Sequence, residues 1–347
     1  MNEKKTVLFT LTGEGDDVKI GEAGRIIREG GLVAFPTETV YGLGGSAYFP
    51  GAAAKIYAAK GRPSDNPLIV HVSDPREAED FAVVPDAYRR LAERFMPGPL
   101  TVVLEKKDVI DRSVTGGLDT VAVRCPDHPA ARALIKAAGC PIAAPSANRS
   151  GSPSPTCAAH VMADLSGRID AVIDGGECRI GVESTVISLD GDGGCTVLRP
   201  GGVTAEMLAR AVGAVRVAGA VTDPALCGDK PLSPGMKYKH YSPKATVVAF
   251  DGTDGEMIDA ANSDPRESVG VITSDKNAGA LRRALLSVGE DSEDAFCHAF
   301  FSLLRRADEE GLGVVYVRLP PKTGKYLALY NRLIRASGGK ITKAKES

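Results

Sequence analysis

The stretch IGEAGRIIREGGLVAFPTETVYGLGG, Ile20–Gly45, decides the fold class. From Ile20 to Glu29 the apolar residues recur at helical spacing, and Gly30-Gly31 supplies the stop. Leu32–Phe35 follows as a short apolar strand. Two threonines, a glutamate and a tyrosine then come directly before Gly42, Gly44 and Gly45. A helix, a glycine stop, a strand and a polar exit form the unit from which α/β folds are assembled. The glycines read two ways: as a tight strand-to-helix turn, or as bare backbone whose N–H groups approach an anion or small ligand.

The same alternation continues from Val18 to about Val217. Strand-like runs are expected at Leu32–Phe35, Leu68–Val72, Leu100–Leu104, Thr120–Arg124, Ile142–Ala144, Ala171–Ile173, Thr185–Leu189 and Thr196–Leu198. Helical patterns fall at Ala52–Lys60, Asp86–Phe95, Pro129–Ala138, Thr156–Leu165 and Ala205–Val212. Such interleaving predicts an α/β domain with one large mixed sheet, whose strand order the pattern does not give. Residues 221–245 then carry Pro224, Pro231, Pro234 and Pro243, with Lys230, Lys237, Lys239 and Lys244 against Asp223 and Asp229. Prolines at that density hold a chain extended. A plain spacer is one reading; the rings and donors of SPGMKYKHYSP, Ser233–Pro243, suit a strip that docks. Beyond it, strands at Thr246–Phe250, Val269–Thr273, Leu285–Val288 and Val314–Arg318 alternate with helices at Glu256–Ala261, Ala278–Ala284, Glu293–Glu310 and Lys325–Ile334. A small parallel α/β domain with right-handed crossovers is expected there, ending in a frayed tail from Gly338. The chain thus divides into residues 1–220, 221–245 and 246–347.

Composition narrows the function. Of 347 residues, 43% are hydrophobic and 25% charged, as in ordinary globular proteins, so global disorder is excluded. Lys and Arg number 42 against 44 Asp and Glu, a net charge of −2, which gives no support to coating nucleic acid or an anionic membrane by bulk charge. A local basic cleft stays open. Seven cysteines without a CxxC pair, and five scattered histidines, disfavour a structural zinc site or a disulfide framework; reduced thiols are expected. No secretory leader or membrane-length apolar run is visible, so a soluble cytoplasmic protein without a membrane partner is expected.

Five further motifs carry polar groups. KGRPSDNPLIVHV places Lys60 and Arg62 beside Pro63, a point charge and a planar fork that suit polyphosphate or, equally, a solvated helix end. His71 is a polar residue inside an apolar strand. VAVRCP puts Arg124 at a strand end, where α/β sheets place ligand contacts and where a structural carboxylate is an equally ordinary partner. APSANRSGSPSPT brings Ser146 and Asn148 into a hydroxyl-rich loop, and GVESTVISL and VLRPGG add Ser184 and Arg199. No Ser–His–Asp order or HExxH is present, so the chain offers binders of phosphate and carboxylate and no obvious nucleophile.

Taken in order, FPTETVYGLG, the K-x-R of Lys60 and Arg62 followed by NPLIVHV, PGPLT at Pro97–Thr101, VAVRCP, the S-x-N of Ser146 and Asn148, GVEST, LRPGG and SPGMKYKHYSP resemble the L-threonylcarbamoyladenylate synthase family in its long form. That resemblance implies a YrdC-like domain with a large twisted mixed sheet and a smaller Rossmann-like parallel α/β C-terminal domain. Met96 stands where the family commonly has tryptophan, a change expected to alter packing more than chemistry. The family joins L-threonine, bicarbonate or CO2, and ATP into threonylcarbamoyl-AMP and pyrophosphate, for transfer by a downstream enzyme to the tRNA adenosine next to the anticodon. By resemblance, Lys60, Ser64, Thr120, Asn148, Arg199, His240 and Tyr241 face ATP. Thr37, His71, Arg124, Ser146 and Ser184 face threonine, and Lys60 with Arg62 carries the catalytic charge. Mg2+ is expected with the triphosphate, and no protein metal site. The alternatives are a non-catalytic RNA-binding module of the same fold, making weak RNA contact through a locally basic face, and a carbamoyl-transfer maturation protein. The latter type carries zinc-finger cysteines that this chain lacks.

Overall fold

The computed structural model of the chain describes residues 5–191, 193–226 and 241–344. The first sheet contains β1 (Val7–Thr10), β2 (Val33–Phe35), β3 (Gly42–Ser46), β4 (Ile69–His71), β5 (Leu100–Glu105), β6 (Thr120–Arg124), β7 (Ile142–Ala144), β8 (Ala171–Asp174), β9 (Thr185–Leu189), β10 (Cys195–Arg199) and β11 (Val215–Val217). They form an 11-stranded sheet in the order β1-β8-β2-β3-β7-β4-β6-β5-β9-β10-β11. It is mixed as expected: β4–β6 and β5–β9 are parallel, while β3–β7, β4–β7 and β5–β6 are antiparallel. Its helices are α1 (Asp16–Arg28), α2 (Ala52–Lys60), α3 (Asp86–Phe95), α4 (Pro129–Ala138), α5 (Ala158–Leu165) and α6 (Ala205–Val212). Local chemistry sets their limits. α4 starts with Pro129 at its first turn and a His128 ring nitrogen that accepts from the Ala130 N–H, and it stops at Gly139 with φ 65°.

The second sheet contains β12 (Thr246–Asp251), β13 (Val269–Thr273), β14 (Ala284–Ser287), β15 (Val314–Arg318) and β16 (Ile341–Lys343), in the order β14-β13-β15-β12-β16 with parallel pairing. Helices α7 (Asp254–Asn262), α8 (Glu293–Glu309) and α9 (Tyr326–Ala336) accompany it. This is the small parallel α/β domain the sequence implies.

Three local expectations change, and two edge strands are additional. Gly42–Ser46 is not a turn; it is a strand between β2 and β7. A Cβ on Gly44 would lie 2.6 Å from the Ile142 side chain and 2.9 Å from the Phe35 ring, so these glycines make room for packing. The helix expected at Ala278–Ala284 is a 3-10 turn at Asp275–Ala280, and β14 begins at Ala284. The tail is not wholly frayed, because Ile341–Lys343 pairs with Ala249–Asp251. β1 and β11, edge strands of four and three residues, carry too little pattern to be seen in advance.

The two domains share one apolar cluster. Val40, Val182 and Tyr241 are buried together with Cys297, Phe301, Leu304 and Leu333 of the C-terminal domain. Burial of each such aliphatic side chain is worth roughly 1.5–3 kcal/mol, so the domains are packed together and not simply tethered.

Candidate active site

β4, β6 and β7 run side by side in the middle of the large sheet, with His71 in register with Arg124 on one side and Ile142 on the other. Residues two apart on a strand share a face, so Ile69 with His71, and Ala122 with Arg124, present one surface. Over that face lies a cavity of about 50 Å³, walled by Thr37, Arg62, His71, Arg124, Ser146, Asn148, Glu183, Arg199 and Tyr241 among others. Eight of the residues singled out in the sequence therefore meet at one place.

Arg124 is buried, and its Nη2 lies 2.9 Å from Glu38 Oε1 and donates to Thr39 Oγ1 at 2.8 Å. The contact with Glu38 is an ion pair without aligned hydrogen-bond geometry. Among the described residues neither Glu38 oxygen, nor Arg124 Nε, has a hydrogen-bond partner. Of the two alternatives for Arg124, the structural carboxylate is present as Glu38, and its Nε is left without a hydrogen-bond partner among the described residues. His71 Nδ1 contacts the Ile69 carbonyl oxygen at 3.1 Å, and its ring meets the Phe35 ring edge-on at 5.7 Å. Burial, with the Arg124 charge second, pushes its pKa down to about 3, so it is a neutral ring. Thr37 Oγ1 donates to the Val40 carbonyl at 2.6 Å and accepts from the Thr39 and Val40 N–H groups, which fixes the turn after β2.

Lys60 ends α2, buried. Its Nζ donates to the carbonyls of Ser146 and Asn148 at 2.5 and 2.6 Å, and Ser146 Oγ donates to Asn148 Oδ1 at 2.5 Å. The ammonium is therefore the tie that shapes the S-x-N loop in this form. Burial, then the nearby Arg62 charge, draws its pKa well below the usual lysine range. Arg62 Nη2 donates to the Asn66 and Pro67 carbonyls, both at 3.2 Å, while the side chain lines the cavity.

Across the cavity, Arg199 ends β10. Its Nε donates to the Ser184 carbonyl and its Nη2 to Ser184 Oγ, both at 3.1 Å, and Ser184 Oγ is 2.8 Å from Thr101 Oγ1. Burial lowers the pKa of Arg199 to about 10, against the upward pull of Tyr241 and Glu183. Tyr241 is buried at the cavity wall, its ring 5.1 Å from that of Phe301. Its φ of 63° makes it the one non-glycine with positive φ among the described residues. Such a conformation costs roughly 1–2 kcal/mol and persists only where surrounding contacts hold it.

Four expected residues are outside the cavity lining: Lys60 and Ser184 bond to residues that line it, and two lie elsewhere. Ser64 is exposed on the turn after α2, and Thr120 sits at the opposite end of β6 from Arg124; neither lines the cavity. His240, with most of the proline-rich segment, falls outside the described residues. Met96 is buried against Tyr88 and is not among the residues lining the cavity. Glu38 and Glu183 went unassigned although both stand inside quoted motifs. Arg332, which grips Glu183 from the second domain, carried no local signal at all.

This is an α/β protein with a cavity walled by arginines, hydroxyls and a neutral histidine, groups whose chemistry suits a small anionic or zwitterionic ligand. Comparison makes this particular. Residues 25–201 match the Sua5–YciO–YrdC family model, described as telomere recombination, and residues 203–338 match that of the threonylcarbamoyl-AMP synthase C-terminal domain. Threonylcarbamoyl-AMP synthases of Bacillus subtilis and Pyrococcus abyssi are each 44% identical, over 94% and 97% of this chain and 95% and 99% of theirs. The crystal structure of P. abyssi Sua5 complexed with L-threonine superposes with a TM-score of 0.90 at 42% identity, covering 97% of this chain and 99% of that one. The chain belongs to the threonylcarbamoyl-AMP synthase family, enzymes that make an AMP-linked intermediate.

Proposed function

We propose that this cavity binds L-threonine and the α-phosphate end of ATP, and that the enzyme joins them with bicarbonate or CO2 into threonylcarbamoyl-AMP and pyrophosphate. The observation that carries this is Arg124: a buried guanidinium with Nε lacking a partner among the described residues, beside a neutral His71 and the Thr37 and Ser146 hydroxyls. A buried donor of that kind calls for an acceptor, and a substrate carboxylate supplies one. That P. abyssi Sua5 was crystallised with L-threonine supports the choice of amino acid.

The chemistry asks for alignment more than for a covalent nucleophile. Threonine's neutral amine forms a C–N bond to the carbon of CO2 with loss of one proton to solvent, or to that of bicarbonate with loss of water as a C–O bond breaks, and a carbamate results. A carbamate oxygen then attacks the α-phosphorus in line; the new P–O bond forms as the bond to the β-phosphate oxygen breaks, and pyrophosphate leaves. Arg62 and Arg199 stand on the cavity wall where charge on the phosphates would be neutralised, and Lys60 holds Ser146 and Asn148 in place for both substrates. Burial under Tyr241 keeps water from a mixed anhydride that hydrolyses readily.

Mg2+ belongs to this scheme as part of the nucleotide substrate. Among the described residues no cluster of three His, Cys, Asp or Glu side chains could hold a metal, and Glu38 and Glu183 are each engaged by an arginine. The ion would therefore be carried by phosphate oxygens and water. No helix among the described residues is long and apolar enough to cross a membrane. We place the reaction in the cytoplasm, ahead of a transferase that moves the threonylcarbamoyl group to tRNA. Pyrophosphate release from ATP and Mg2+ that requires both threonine and bicarbonate tests the proposal; release independent of threonine overturns it.

A further inference from the structure

We propose that Arg332, on α9 of the C-terminal domain, is a positioning residue of the catalytic cavity. Its side chain is wholly buried and forks onto two points of the first domain. Nε donates to Glu183 Oε2 at 2.9 Å, and Nη1 donates to the Pro200 carbonyl at 2.6 Å. Both points are at the cavity: Glu183 lines it and directly precedes Ser184, which accepts from Arg199, and Pro200 directly follows Arg199, which also lines it. The strand ends concerned already touch closely, since a Cβ on Gly201 would lie 2.3 Å from the Glu183 carbonyl oxygen. One guanidinium thus fixes the relative register of the β9 and β10 ends, from which Ser184 and Arg199 project.

Two further contacts tie Arg332 to the cavity and not merely to the domain boundary. Glu183 lines the cavity, and its other oxygen accepts from Ser154 Oγ at 2.5 Å, in the loop that continues from Asn148. The Arg332 guanidinium also lies 5.8 Å from the Tyr241 ring centroid. Burial alone would favour the neutral form of Glu183; Arg332 first, then Arg199 and the Ser154 hydroxyl, reverse this and hold its pKa below the usual range. The C-terminal domain therefore completes the active site with one side chain that need not touch substrate.

Arg305 provides the comparison. It too is a buried guanidinium of the C-terminal domain, paired with Asp164 at 2.8 Å and with the Pro153 carbonyl, but among the described residues neither of these partners lines the cavity. This role rests on the proposed function, so the test begins with threonylcarbamoyl-AMP formation by the intact chain. Arg332→Gln and Arg305→Gln are then compared, with melting curves recorded for each. A positioning role predicts that Arg332→Gln lowers kcat at least about tenfold further than Arg305→Gln at equal loss of melting temperature, because truncating a buried charge pair commonly costs well over tenfold. It also predicts that Glu183→Gln and the Glu183→Gln/Arg332→Gln double variant fall to the same level. Arg332→Lys should recover only part of kcat, since an ammonium reaches one of the two acceptors and not both; where Arg332→Gln does not fold, that variant carries the comparison. Parallel losses in Arg332→Gln and Arg305→Gln, or additive losses in the double variant, overturn the positioning role alone. Absence of adenylate from the unmodified chain overturns the proposed function and this role together.

Discussion

Replacing Arg124 by alanine should have two effects that a single measurement confounds. The Arg124–Glu38 pair is 2.9 Å long, with side chains 5% and 1% exposed, so alanine strands a carboxylate in a dry interior. Breaking a buried pair by removing one partner costs about 3–5 kcal/mol, a large part of the roughly 5–15 kcal/mol that holds a domain folded. Replacing both partners by apolar residues of similar size is often neutral or stabilising. Arg124→Met with Glu38→Leu should therefore recover most of the stability that Arg124→Ala loses. Threonine binding should be lost in both, by about 2–5 kcal/mol, which corresponds to roughly 30-fold to several thousand-fold in Kd. Thermal melts and calorimetric titration with threonine separate the two quantities. An Arg124→Ala protein as stable as the parent would refute the buried-pair argument. A double variant that binds threonine normally would remove Arg124 from the substrate site.

Lys60→Ala should loosen the Ser146–Asn148 loop, lowering kcat and costing about 1–3 kcal/mol of stability for the two carbonyls left without their donor; Lys60→Arg should not restore activity, because a planar fork does not fit an enclosed ammonium site, and steady-state kinetics with melts decide. His71 and His160, with pKa values lowered by burial to about 3 and about 4, bind protons only in the unfolded chain as pH falls below 6.5. Stability should drop on acidification from 6.5 toward 4, by up to about 1.4 kcal/mol per pH unit for each ring, and His71→Leu should flatten the slope seen in urea midpoints at successive pH values. Replacing residues 233–243 with an equally long Gly/Ser stretch should sharply reduce adenylate yield while circular dichroism stays unchanged, since Tyr241 then no longer roofs the cavity; undiminished yield would make the segment a spacer.

Strand and helix periodicity made most of the fold legible, because buried runs such as Thr120–Arg124 and Ile142–Ala144 follow the local rule that neighbours on a strand alternate. Gly42–Ser46 escaped for a physical reason: its β character comes from Phe35 and Ile142 filling the space where side chains would be, and a glycine run shows no alternation of its own. β16 escaped because an exposed strand of three residues is defined by its partner β12 and not by pattern. Site residues were legible where chemistry sits in one motif, as for Ser146 with Asn148. They were illegible where two distant segments define the role. Arg332 reaches Glu183 across 149 positions of chain, and nothing along α9 marks it as different from any buried helix residue. Lys60 was visible as a cation, but its engagement by backbone carbonyls depends on a loop 86 residues away.

The central claim is that one cavity assembles threonine, a one-carbon acid and the α-phosphate of ATP. The most direct measurement incubates the full chain with ATP, Mg2+, threonine and [13C]bicarbonate and follows the products by mass spectrometry. The account predicts equal amounts of pyrophosphate and an adenylate carrying threonine and one 13C atom, both abolished when threonine is omitted. An intact protein that binds RNA yet leaves ATP and threonine unchanged, or an adenylate that lacks the labelled carbon, would contradict it.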